Sequence, residues 1–103
     1  MQPLIIDVGV YTPLIVDLTQ FDFSGVSKVV LTISNPRRGV KIEREFDTAA
    51  EYQIEITPAE SKTLVPGAQY DFDIVLPDGK RYKNGENGSI TLRTGAGEWT
   101  PSV

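Results

Sequence analysis

The chain has 103 residues, 40% hydrophobic and 23% charged, which suits one globular domain spanning 1–103 rather than two. It contains no cysteine and no histidine, which excludes a disulfide scaffold, a zinc finger, a thiol nucleophile and an imidazole base. Ten basic against fourteen acidic residues give a formal charge of −4, the wrong sign for nucleic acid or an anionic membrane as main ligand.

In chain order, residues 4–8 predict a short leading strand and residues 12–18 a second. No basic leader precedes a hydrophobic run of signal length, and no window approaches 18 apolar residues, so neither a secretory signal nor a membrane span is expected. Residues 27–34 predict a third strand whose inner set is Val29, Leu31 and Ile33. The stretch from Asn35 to Gly39 has the length of a hairpin loop.

Alternation is cleanest over residues 40–46, where Val40, Ile42 and Phe46 oppose Lys41, Glu43 and Glu45. Arg44 falls on the apolar side, which predicts an edge position where its stem covers the core and its head reaches water. Residues 52–57 repeat the pattern with Tyr52, Ile54 and Ile56 inward. Residues 58–64 predict one or two helical turns, with Pro58 at the first helical position, forming a connector rather than a packing layer.

Val65-Pro66-Gly67 forces a turn ahead of a strand over residues 69–76. The pattern Leu64-x-Pro66-Gly67-x-x-Tyr70 reads as a structural corner, in which a tyrosine at the start of a strand buries its ring. Pro77-Asp78-Gly79 predicts a tight turn with Gly79 at positive φ, and residues 80–83 a stub of strand. Lys83 to Gly88 is polar and glycine-containing and predicts a mobile loop, followed by a last strand over residues 89–94. Residues 95–103 predict a loosely held tail, in which Trp99 either plugs one end of the domain or docks on a neighbour.

About seven short strands, turns every eight to twelve residues and no crossover helix predict an all-β fold. The expected form is a two-sheet antiparallel β-sandwich, immunoglobulin-like or jelly-roll-like, with one short helical connector; a small closed barrel is the competitor.

The candidate chemistry is thin. Asp71 and Asp73 share a strand face, but no calcium-loop pattern surrounds them, and a solvated strand face is the better reading, since their like charges are tolerable only in water or opposite lysine or arginine. Glu43 with Glu45, and Gln53 with Glu55, are outward sets with nothing to predict a cleft between them. Ser61 and Lys62 are adjacent, so on a short helical turn they do not face each other as nucleophile and base. Gly85 and Gly88 lack the strand–helix setting of a phosphate-binding loop. No catalytic residue, metal ligand or cofactor site is expected. Tyr11, Phe21, Phe23 and Tyr82 lie near predicted turns, and Phe21, Phe23, Tyr82 and Trp99 are the candidate partner contacts.

The order of these signals resembles the N-terminal β-sandwich domain of phage tail-tip, baseplate and receptor-binding-protein assemblies. It runs from Asp22-Phe23-Ser24-Gly25 through Thr63-Leu64-Val65-Pro66-Gly67-Ala68-Gln69-Tyr70 and Asp71-Phe72-Asp73-Ile74. Pro77-Asp78-Gly79 and Gly88-Ser89-Ile90-Thr91-Leu92 complete it. An extra residue between Gly67 and Tyr70 and a longer 83–88 loop depart from the pattern.

The resemblance implies a non-enzymatic structural or adaptor protein of a phage or prophage particle, a tail, baseplate or head-tail component. It would be assembled in the bacterial cytoplasm into the virion and contact other phage structural proteins, as a homo-oligomer and without nucleic acid, membrane or cofactor. The alternative from another class is a carbohydrate- or cell-surface-binding β-sandwich module, which wants aromatics spaced along one exposed face.

Overall fold

The computed structural model describes residues 3–35 and 39–93, apart from the side chain of Glu86. Seven strands and one short helix follow in the order β1 (Leu4–Asp7), β2 (Thr12–Asp17), β3 (Lys28–Asn35), β4 (Val40–Phe46), β5 (Glu51–Ile56), α1 (Pro58–Ser61), β6 (Gln69–Val75) and β7 (Arg81–Arg93). They form a five-stranded sheet, β1-β7-β6-β3-β4, and a two-stranded sheet, β2-β5. The fold is mostly β, as the alternation requires.

Both sheets contribute to one buried cluster. Val29, Leu31 and Ile33 of β3 are fully buried, with Ile42 and Phe46 from β4 and Ile6 from β1 beside them. Leu14 and Val16 of β2 and Ile56 of β5 join the same cluster from the small sheet. Each fully buried aliphatic side chain contributes about 1.5–3 kcal/mol relative to exposure. β3, the strand between β4 and β6, carries the densest part of the core.

Local chemistry places the turns. The Asp22 carboxylate accepts from the Ser24 N–H at 2.9 Å, and Gly25 follows with φ +73°. At 76–79 the Gly79 N–H donates to the Leu76 carbonyl at 2.8 Å, and Gly79 has φ +88°, as the turn signal predicted. Helix α1 opens with a reciprocal cap in which Thr57 Oγ1 accepts from the Glu60 N–H while Glu60 accepts from the Thr57 N–H. Arg44, on edge strand β4, reaches this cap with Nη2 at 2.7 Å from Glu60 Oε1.

Leu64 is fully buried, Gly67 has φ +100°, and Tyr70 is buried at the start of β6. The Tyr70 ring lies across Gly88, where an added Cβ would sit 2.2 Å from the ring, so a side chain at 88 displaces the tyrosine. Buried Asn35 donates from Nδ2 to the Val65 carbonyl at 3.2 Å, which ties the corner to the end of β3.

Two expectations are corrected. Lys83 to Gly88 is not a free loop: β7 runs unbroken from Arg81 to Arg93, merging the predicted stub and last strand. The register passes from Tyr70↔Gly88 to Phe72↔Asn84, so three β7 residues oppose Asp71 alone; Gly85, at φ +86°, absorbs the extra length. The ladder is also not wholly antiparallel. β1 pairs parallel with β7, Leu4↔Ile90 through Asp7↔Arg93, because β2 joins β5 instead of returning beside β1.

Candidate functional site

The face of the large sheet opposite the core carries the Asp71/Asp73 pair. Alternation puts Lys41, Glu43 and Glu45 of β4, Lys28, Val30 and Thr32 of β3, and Asp71 and Asp73 of β6 on that face. Arg81 crosses it. Its Nε donates to Asp73 at 2.6 Å, and its Nη2 to Glu43 at 2.9 Å and to Thr32 Oγ1 at 3.3 Å. Lys28 pairs with Glu45 at 3.0 Å, and Lys41 lies 3.8 Å from Glu43. Bridged side chains also explain why Val30, between Glu45 and Asp73 in register, is buried on a charged face.

The titration behaviour follows the pairing. The Arg81 hydrogen bond holds the Glu43 carboxyl below the usual carboxylate range, and Glu43 and Asp73 raise the Arg81 guanidinium in return. Asp71 goes the other way: desolvation and then the Asp73 charge raise it, against weaker pulls from Lys83, Arg81 and Lys41. The carboxylate pair is thus answered by basic neighbours. Among the described residues no group of three or more acidic side chains is placed to hold a metal ion.

The second region lies where β1 and β2 diverge. A cleft of about 440 Å³ is lined by Pro3, Leu4, Ile5 and Asp7 on one side, Thr12 to Ile15 on the other, and Arg93. Its end is clasped. Thr12 Oγ1 accepts from the Asp7 N–H at 3.0 Å and donates to the Asp7 carbonyl at 3.1 Å. Arg93 forks onto the Asp7 carboxylate at 2.8 and 3.1 Å, which lowers the Asp7 pKa. Behind the clasp, buried Ser61 accepts from the Gly9 N–H at 2.9 Å and donates to the Pro58 carbonyl at 3.0 Å, tying the β1–β2 turn to α1.

This region carries most of the exposed large hydrophobics. Ile5, Val10, Tyr11 and Ile15 are 45%, 54%, 62% and 66% exposed, and Tyr82 is the remaining one among the described residues. Ile15 and Pro13 point outward from β2, while Thr12, Leu14 and Val16 are buried. Across the ladder their partners are Gln53 and Glu55, with Asp17 opposite Glu51. Asp17, Glu51 and Glu55 form no ion pair among the described residues; Asp17 accepts from Thr19, which lowers its pKa.

The candidate contacts separate on inspection. Phe21 and Phe23 are partly buried against the core, Phe21 edge-on to Phe72 at 5.7 Å between centroids. Phe21 also borders a smaller hollow of about 290 Å³ with Gln20, Asp22, Ile74 and Asn84. Tyr82 is half exposed near the start of β7, the opposite end of that strand from the β1–β2 turn and Tyr11. Trp99 lies outside the described residues. Ile5, Val10 and Ile15 were missed by the sequence reading; the one local signal was Pro13, which marks an edge strand, because the apolar run 13–16 leaves the phase of Ile15 open.

No family model, curated protein or solved structure matches the chain. No helix among the described residues is long and apolar enough to cross a membrane.

Proposed function

We propose that this chain is a β-sandwich adaptor that works through protein–protein contacts and carries no chemistry of its own, as a structural component of a phage or prophage particle. The observation supporting it is the β1–β2 cleft, where exposed Ile5 and Ile15 line the wall, exposed Val10 and Tyr11 follow in the adjoining turn, and β1 and β2 each keep an edge with no strand beside it among the described residues. Contiguous apolar surface and open strand edges are what a protein partner covers. The particle assignment rests on the motif order from Asp22 to Leu92.

The genes flanking the coding sequence test that assignment. Capsid, tail or baseplate genes on both sides are the expected result, and a metabolic operon contradicts it. Light scattering on the purified chain tests the homo-oligomer, for which a mass of more than one copy is expected and a strictly monomeric solution is the contrary result.

A further inference from the structure

We infer that the β1–β2 cleft takes an extended segment of a partner protein, apolar and basic in alternation, which adds as a sixth strand along β1. This deepens the adaptor reading above and rests on it. The backbone carries the first part of the inference. The Val8 N–H donates to the Arg93 carbonyl on β7, whereas the Asp7 N–H and carbonyl both turn to Thr12. Successive residues of a strand present their backbone groups to opposite sides, so Ile5 directs its N–H and C=O the same way as Asp7, into the cleft. β1 has no strand on that side among the described residues. Asp7 is already satisfied by Thr12, which leaves the Ile5 pair as the docking point for a new ladder.

Side chains supply the rest. An added strand meets Leu4 and Ile5 on one flank and Pro13 and Ile15 on the other. Pro13 removes an N–H from β2, so β1 is the better edge for the ladder and β2 the better apolar wall. Beyond that wall, Asp17 of β2 and Glu51 and Glu55 of β5 form an acidic border with no ion pair among the described residues, on a chain of net charge −4. Lysine or arginine on the incoming strand complements this border, whereas acidic residues are repelled.

The test is an NMR titration of the full chain with a capped seven-residue peptide alternating lysine with isoleucine. Amide shifts centred on residues 4–6 and 14–15, with slowed exchange of the Ile5 amide, are expected. I15K, at a site two-thirds exposed, abolishes binding without changing the melting temperature. Glu51→Gln with Glu55→Gln weakens it about fivefold at low salt.

Equal binding of a glutamate–isoleucine peptide, shifts centred elsewhere, or no shift at millimolar peptide overturns the inference. So does self-association without peptide that I15K abolishes, since the occupant is then a second copy. The gene-neighbour result is independent. A chain that takes the peptide outside a phage gene cluster keeps this inference and loses the particle, and one inside such a cluster that ignores the peptide does the reverse.

Discussion

The outward faces of the two sheets use the same residue types to opposite ends. On the large sheet Arg81 links Asp73, Thr32 and Glu43 across three strands, Lys28 answers Glu45, and even Val30 is covered. On the small sheet Pro13 and Ile15 stand beside Glu51 and Glu55, and among the described residues no cation pairs with either carboxylate, Arg44 reaching only the Glu55 backbone carbonyl. A face whose charges are internally paired is finished as a solvent surface. A face with exposed aliphatics and unanswered carboxylates leaves both open to a partner, which is the reading proposed above. Charge count does not separate the two; pairing does.

The comparison is broken most severely from inside. Leu31→Ala removes a fully buried side chain beneath the paired face and is expected to cost about 3 kcal/mol in chemical denaturation, whereas Ile15→Ala on the other face stays within about 0.5 kcal/mol. Gly88→Ala ranks next, at about 2 kcal/mol, because the new Cβ collides with the Tyr70 ring and forces it out of the corner. Arg81→Ala strands Asp73 and Glu43 and costs about 1 kcal/mol, a modest figure because the Arg81 side chain is 40% exposed and solvent screens it. Glu55→Gln shows almost no change, since no partner is lost.

The subtlest effect is on pH dependence. Asp71 is raised by burial and by Asp73, so the folded state binds its proton more tightly than the unfolded state does. That contribution favours folding at low pH and is lost as pH rises through the folded pKa. Asp71→Asn therefore raises stability slightly at pH 7, and the gain fades as pH falls through the folded pKa of Asp71. Glu60 is lowered, first by Arg44, so its contribution is present at neutral pH and is lost as pH falls through its folded pKa. Glu60→Gln accordingly destabilises at pH 7 and converges with the parent chain in acid. Melting curves from pH 3 to pH 8 read both signs.

Strands with strict alternation were legible, since β4 and β6 oppose charged and apolar residues at every step or nearly so. β2 was legible as a strand but not in phase: Pro13, Leu14, Ile15 and Val16 are all apolar, and only the partner ladder with β5 decides that Ile15 faces outward. The 83–88 stretch was misread because Asn84-Gly85-Glu86-Asn87-Gly88 lacks any β signature and is held in register by β6 on either side of the bulge. The parallel β1–β7 pair and the Ser61 clasp join residues from opposite ends or distant thirds of the chain, and no local pattern encodes such pairings. The cleft inherits that blindness, because it exists only once β1 and β2 have gone to different sheets.

The most direct measurement compares I15K with Asp71→Asn for binding of the lysine–isoleucine peptide, one substitution on each outward face. Loss of binding in I15K with undiminished affinity in Asp71→Asn is the predicted result. Equal loss in both, or loss only in Asp71→Asn, contradicts the assignment of the partner surface to the β1–β2 cleft.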